Sequence, residues 1–155
     1  MLSRFFNAMS LTTQERYMIE LLELNEKTKS FGLVLAPEEI KQLMIARNQV
    51  LQSYGRLELG IEVTKAFIEV FSESPYIHPQ NYVSMLSDLH EIFYYIKNET
   101  EDRIGDFKLI ALLKQYFDNE CGGSIELLRS RIEQFAVNFR TDTMRKEILL
   151  EGDDV

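Results

Sequence analysis

The stretch from Leu86 to Asp106, LSDLHEIFYYIKNETEDRIGD, constrains the fold more than any other. An aromatic run, Phe93-Tyr94-Tyr95, passes directly into a polar, acidic turn. Tyr82, Leu86, Leu89, Phe93 and Ile96 step by four and three, which places them on one face of a helix. Val83, Met85, Ile92, Tyr94 and Tyr95 add apolar mass on the other sides. A helix apolar nearly all round belongs at the centre of a packed protein, so a long central helix opening at Pro79 is expected. An echo follows at Phe117 to Leu128, FDNECGGSIELL, where two glycines stop one helix and Ser124 caps the next.

Helical patterns extend in both directions. Thr12 and Glu15 have capping-box spacing before Tyr17, Met18, Leu21, Leu22 and Leu24, a first helix ending near Thr28. Pro37 suits the first position of a second helix, with Glu38 and Glu39 at the positive end of its dipole, although Ala36 is a poor N-cap. Its face is Ile40, Leu43, Met44, Arg47, Val50, Leu51 and Tyr54, and Gly55 is its stop. A third helix spans about Ile61 to Ser72, with Val63, Ala66, Phe67, Val70 and Phe71 inward, and Ser74-Pro75 ends it. Asp106 is read as the cap of a fifth helix aligning Phe107, Ile110, Leu113, Tyr116 and Phe117. Ser124 opens a sixth with Leu127, Leu128, Ile132, Phe135 and Phe139 inside, and a short last helix covers Thr143 to Leu150. The stretches 33–35 and 57–59, LVL and LEL, are alike and could pair as a tiny two-stranded ribbon.

The expected architecture is therefore all-α: one bundle-like or orthogonal array of five to seven helices over residues 1–155. A lead-in at 1–11 and an acidic tail at 151–155 are expected to be flexible. At 155 residues, folding buries roughly 70% of the unfolded chain's surface, enough for a real core. The net charge of −8 opposes nucleic acid as a partner, because phosphate binding needs clustered Lys and Arg, and it favours a basic one. The lone Cys121 rules out an intrachain disulfide and a thiolate metal cluster, in keeping with a reducing cytoplasm. No apolar run approaches the ~18 residues of a membrane span, and residues 1–11 have no sustained apolar centre, so neither membrane insertion nor a signal peptide is expected.

Chemical motifs are sparse. Counted from Asp118, Gly123 and Ile125 fall where a calcium loop wants Gly and an apolar residue, yet Arg129 occupies the place of the bidentate carboxylate. His90-Glu91 begins like a zinc-protease helix, but Tyr94 stands where the second histidine belongs. Cys121 sits at a helix C-terminus, where the dipole disfavours thiolate. No catalytic residue, metal ligand or cofactor is assigned. The residues that could form a ligand or partner surface are His90, Glu91, Tyr94, Tyr95 and Glu99.

The strings IARNQVLQSYGRLELG, FSESPYIHPQNY, LHEIFYYIKNETED and FDNECGGSIELL resemble a family of small bacterial proteins, mostly from Firmicutes, known only as a domain of unknown function. The resemblance covers about Pro37 to Leu128. It implies a bacterial cytosolic origin and a compact helical domain, and it brings no activity, cofactor or catalytic residue. The leading expectation is a non-enzymatic interaction or regulatory module with a protein partner or self-association, and no nucleic acid or membrane. The alternative is a small-molecule binder or enzyme with a pocket beside Tyr94, Tyr95, His90 and Glu91.

Overall fold

The computed structural model describes the backbone of residues 11–153 and the side chains of 13–143. Among these residues six α-helices follow one another: α1 Leu11–Thr28, α2 Pro37–Ser53, α3 Glu62–Phe71, α4 Tyr82–Glu99, α5 Asp106–Asp118 and α6 Ile125–Asp153. A 3-10 turn, Lys29–Phe31, extends α1. The array is bundle-like, with α4 at its centre against α2, α3, α5 and α6, while α1 covers α2 and α3.

The 4-3 seam explains the centre. Tyr82, Leu86, Leu89, Phe93 and Ile96 are all at most 1% exposed. Aromatic pairs join this seam to α3 and α3 to α5. Phe67 lies edge-on to Phe93 at 5.5 Å, and Phe71 edge-on to Phe117 at 5.6 Å. Edge-to-face pairs of this kind add to the area term of a core.

Helix ends follow local chemistry. Gly55 (φ 67°) ends α2 where the Arg56 amide reaches back to Leu51 O at 2.8 Å. α5 ends at Asp118, and Gly122 and Gly123 (φ 54° and 81°) turn the chain just beyond it, the Gly123 amide reaching back to Phe117 O at 2.8 Å; the Leu127 amide then donates to Ser124 Oγ at 3.2 Å as α6 starts. Ala36 offers α2 no side-chain acceptor, so only one arm of a capping box forms, from the Ala36 amide to Glu39 Oε1 at 2.9 Å.

Several boundaries differ from the sequence pattern. α4 opens at Tyr82, not Pro79, because Asn81 closes a turn on the preceding segment: its Oδ1 accepts from the His78 amide at 2.7 Å and its Nδ2 donates to Tyr76 O at 3.2 Å. Gly105, not Asp106, precedes α5, and Asp106 instead pairs with Lys97 Nζ at 2.8 Å. No break separates the expected last helix from the sixth, since α6 runs for 29 residues with no Gly or Pro before Gly152. The spacing places Phe107 and Leu127 inward, yet they are 65% and 56% exposed, each in the first turn of its helix. Leu11 and residues 151–153 are helical, while the rest of the expected flexible lead-in and tail, and the side chain of Thr12 with its capping role, lie outside the described residues.

Among the described residues there is no strand, and the expected ribbon does not form. Each of its halves is held instead by side chains from helices. Asn25 brackets Leu35, its Nδ2 donating to Leu35 O and its Oδ1 accepting from the Leu35 amide, both at 2.9 Å. Thr28 Oγ1 donates to Leu33 O at 2.6 Å. Arg47, 3% exposed, donates through Nη2 to Gly60 O at 2.6 Å and Glu58 O at 3.3 Å, and the Tyr17 hydroxyl donates to Leu59 O. These bonds satisfy the backbone groups that a ladder would otherwise engage.

Candidate functional site

The predicted residues divide between two sides of α4. His90 and Tyr94 turn into the core and are 0% exposed, while Glu91, Tyr95 and Glu99 reach the half-exposed side. Steps of four along one helix, from Glu91 to Tyr95 to Glu99, keep that second group on one stripe.

On the buried side, His90 Nδ1 lies 2.6 Å from Leu86 O and Nε2 lies 2.8 Å from Thr64 Oγ1. A carbonyl can only accept, so Nδ1 carries the proton and Nε2 accepts from the threonine hydroxyl. Phe67 packs on the ring at 5.0 Å. Burial, aided by the nearby Arg47 charge and opposed by the Leu86 hydrogen bond, lowers the His90 pKa from 6.5 to about 4. Among the described residues the Tyr94 hydroxyl is buried beside Glu58 with no hydrogen bond of ordinary geometry. Burial first, and then the neighbouring Glu58 carboxylate, raise its pKa far above the ordinary value. Glu58 in turn faces Lys97, which is also paired with Asp106.

On the other side, Glu91, Ile92 and Tyr95 of α4 meet Arg129, Ile132 and Glu133 of α6, and Tyr54 at the end of α2 closes a half-open pocket of about 210 Å³. Ile92 and Ile132 form a buried floor. Arg129 bridges to Asp88 Oδ1 at 3.6 Å and Glu91 Oε1 at 3.2 Å. Burial, then Glu91, raises the Tyr54 pKa; burial, then Glu99 and Glu133, raises that of Tyr95. Asp88 is raised by burial against the pull of Arg129. Glu99 itself pairs with Arg140.

Tyr54, Arg129 and Glu133 were not among the expected site residues. A signal existed: Arg129 and Glu133 are four apart, as are Glu91 and Tyr95, so each pair marks one helical stripe. Which two stripes face each other is a tertiary fact.

A second feature lies beyond the end of α2. In the loop 56–60, Leu57 and Leu59 are 89% and 93% exposed, although the backbone between them is fixed by Arg47 and Tyr17. Arg56 anchors the loop's start to α4 and the turn after it, its Nε donating to Asn98 Oδ1 at 2.6 Å and its Nη2 to Asp102 Oδ1 at 2.7 Å. Cys121 is buried, and burial raises its pKa. Among the described residues, no three His, Cys, Asp or Glu side chains gather as metal ligands, and no helix is long and apolar enough to cross a membrane.

Fold and site together define an all-α, bundle-like protein with a tyrosine-lined pocket and a fixed loop that displays two leucines. The chain belongs to a family of unknown function, DUF6323, whose model matches residues 20–145. No curated protein and no solved structure matches it.

Proposed function

We propose that this chain is a non-enzymatic interaction or regulatory module of the bacterial cytoplasm, which docks a protein partner through the loop 56–60. The observation that carries this reading is the pairing of near-complete exposure at Leu57 and Leu59 with a buried clamp beneath them. Burying a guanidinium costs several kcal/mol unless it is well bonded. Arg47 directs much of its bonding at this loop, to Glu58 O and Gly60 O. Two leucines held in water add nothing to the core, but each would gain about 1.5–3 kcal/mol on full burial against a partner. Because the backbone is already ordered, little further conformational entropy is lost on docking.

The non-enzymatic part of the reading is supported by His90. Both its ring nitrogens are engaged inside the core and its low pKa keeps it neutral, so it has no route to a substrate. The cytoplasmic part is supported by the single, buried cysteine, and the bacterial part by the resemblance of the quoted strings.

The test is a photo-cross-linking side chain placed at position 59 and, as a control, at the exposed position 73. Expected is a discrete adduct from 59 alone, competed away by the unlabelled protein and not by the Leu57→Ser/Leu59→Ser double variant. That variant should keep its stability within ~0.5 kcal/mol. Equal labelling from both positions, or a loss above ~2 kcal/mol in the double variant, would show that the leucines serve the fold instead.

A further inference from the structure

We infer that the pocket between α2, α4 and α6 is a binding site for an organic cation, an alkylammonium or guanidinium group, either free or carried on a lysine or arginine side chain. The pocket does not depend on the leucine loop, although Tyr54 on its wall lies three residues before Leu57.

The chemistry of the lining selects the charge. Two tyrosine rings form walls, and a ring face attracts a cation, more strongly where water is displaced. Tyr54 and Tyr95 are half-exposed on the lining, and a phenol oxygen can accept from an N–H donor. The floor of Ile92 and Ile132 suits methylene groups. Glu91 and Glu133 on the lining face one cation, Arg129, and Asp88 behind it adds a third carboxylate. Arg129 is held by Asp88 and Glu91, whereas Glu133 has no ion-pair partner among the described residues. An anion would have to displace two carboxylates from Arg129 and then sit beside Glu133. A cation has only to approach Glu133 and the rings.

Size narrows the ligand. At about 210 Å³ the pocket is well above the ~30 Å³ share of one water and below the ~300 Å³ at which drug-sized sites begin. That suits one short chain with its head group, entering from the open side. The chain's net charge of −8 would concentrate such cations near the surface.

The experiment is an NMR titration of the full chain with n-butylammonium, tetramethylammonium, N-acetyl-lysine methylamide and N-acetyl-arginine methylamide, with acetate and phosphate as opposing probes. Expected are saturable shifts at Tyr54, Tyr95 and Glu133 with butylammonium and the capped lysine and arginine, at roughly millimolar dissociation constants, and weaker binding of tetramethylammonium, which has no N–H to donate. Glu133→Gln, a change at an exposed position that leaves the fold intact, should weaken binding roughly fivefold. Tyr95→Leu should abolish it while far-UV circular dichroism stays unchanged. Capped lysine or arginine binding about tenfold tighter than butylammonium assigns the cation to a protein side chain, and equal affinity assigns it to a free amine. Preferential shifts with acetate or phosphate, no saturation by ~50 mM of any cation, or an unaffected Glu133→Gln variant would each overturn the site.

Discussion

His90 couples folding to pH. Its pKa is about 4 in the fold against 6.5 in an unfolded chain, with burial the main cause. Above pH 6.5 both states are neutral and the full stability is present. Below it the unfolded chain takes up a proton that the buried ring refuses, so stability falls as pH drops from about 6.5 toward 4, by on the order of 3 kcal/mol in all. Asp88, raised by burial, acts in the opposite sense just above its ordinary value, so the comparison must isolate the histidine. Urea unfolding at pH 7 and pH 4.5 should show the loss in the wild type and a clearly smaller one in His90→Gln. The same slope in both proteins would mean that His90 protonates freely in the fold. His90 and Tyr94 also show where residue-level reading stops. α4 is apolar on nearly every side, so periodicity cannot say that Tyr94 is sealed in while its neighbour Tyr95 meets a pocket. Arg47 did fall on the apolar face of its helix by spacing, but its targets, Glu58 O and Gly60 O, lie 11 and 13 residues on, across a loop whose path no local pattern encodes.

Elements were legible where the signal was periodic or was a stop. The α4 seam is the strongest case. Leu89 is 0% exposed at its middle, so Leu89→Ala should cost about 2–5 kcal/mol in a denaturant melt, and a loss under ~0.5 would contradict the central placement of α4. The glycine stop between α5 and α6 makes a finer prediction. Both glycines have positive φ, which an L-residue resists by roughly 1–2 kcal/mol. A Cβ on Gly122 would meet open space, but one on Gly123 would lie 2.4 Å from Tyr76 Cβ and Cγ. Tyr76 packs edge-on to Phe117 at 6.1 Å, so it has limited room to yield. Gly122→Ala should therefore cost the backbone strain alone, and Gly123→Ala visibly more. Equal losses in thermal melts would show that Tyr76 does not cover Gly123. The misread elements share one cause: LVL and LEL look like a strand pair because they are alike and lie outside the helical patterns, which are local signals, whereas Asn25, Thr28, Arg47 and Tyr17, which hold those stretches, act from the helices.

At the scale of the whole molecule, the central helix and the leucine loop are joined through polar contacts. Asn98 near the end of α4 donates to Tyr54 O at 3.1 Å and accepts from Arg56, and Lys97 pairs with Glu58 at 3.6 Å. The loop is thus tied to α2 by Arg47, to α1 by Tyr17 and to α4 by Arg56, through Asn98, and by Lys97. Its order is a property of the assembled bundle, which makes Arg47 the point at which to test the link between fold and docking. Arg47→Met keeps the length and apolar stem of the side chain. It removes both hydrogen bonds to the loop, together with the desolvation cost of a buried charge. These terms oppose each other, so global stability should fall by no more than ~2 kcal/mol. The loop should respond far more. Backbone order parameters over 57–60 should stand near 0.85 in the wild type and fall toward 0.6 or below in the variant, the range of flexible chain. Any partner captured through position 59 should then bind more weakly, since ordering of the loop would have to occur on docking. Order parameters already below ~0.6 in the wild type would show that Arg47 does not hold the loop, and the case for a preformed leucine display would fall with it.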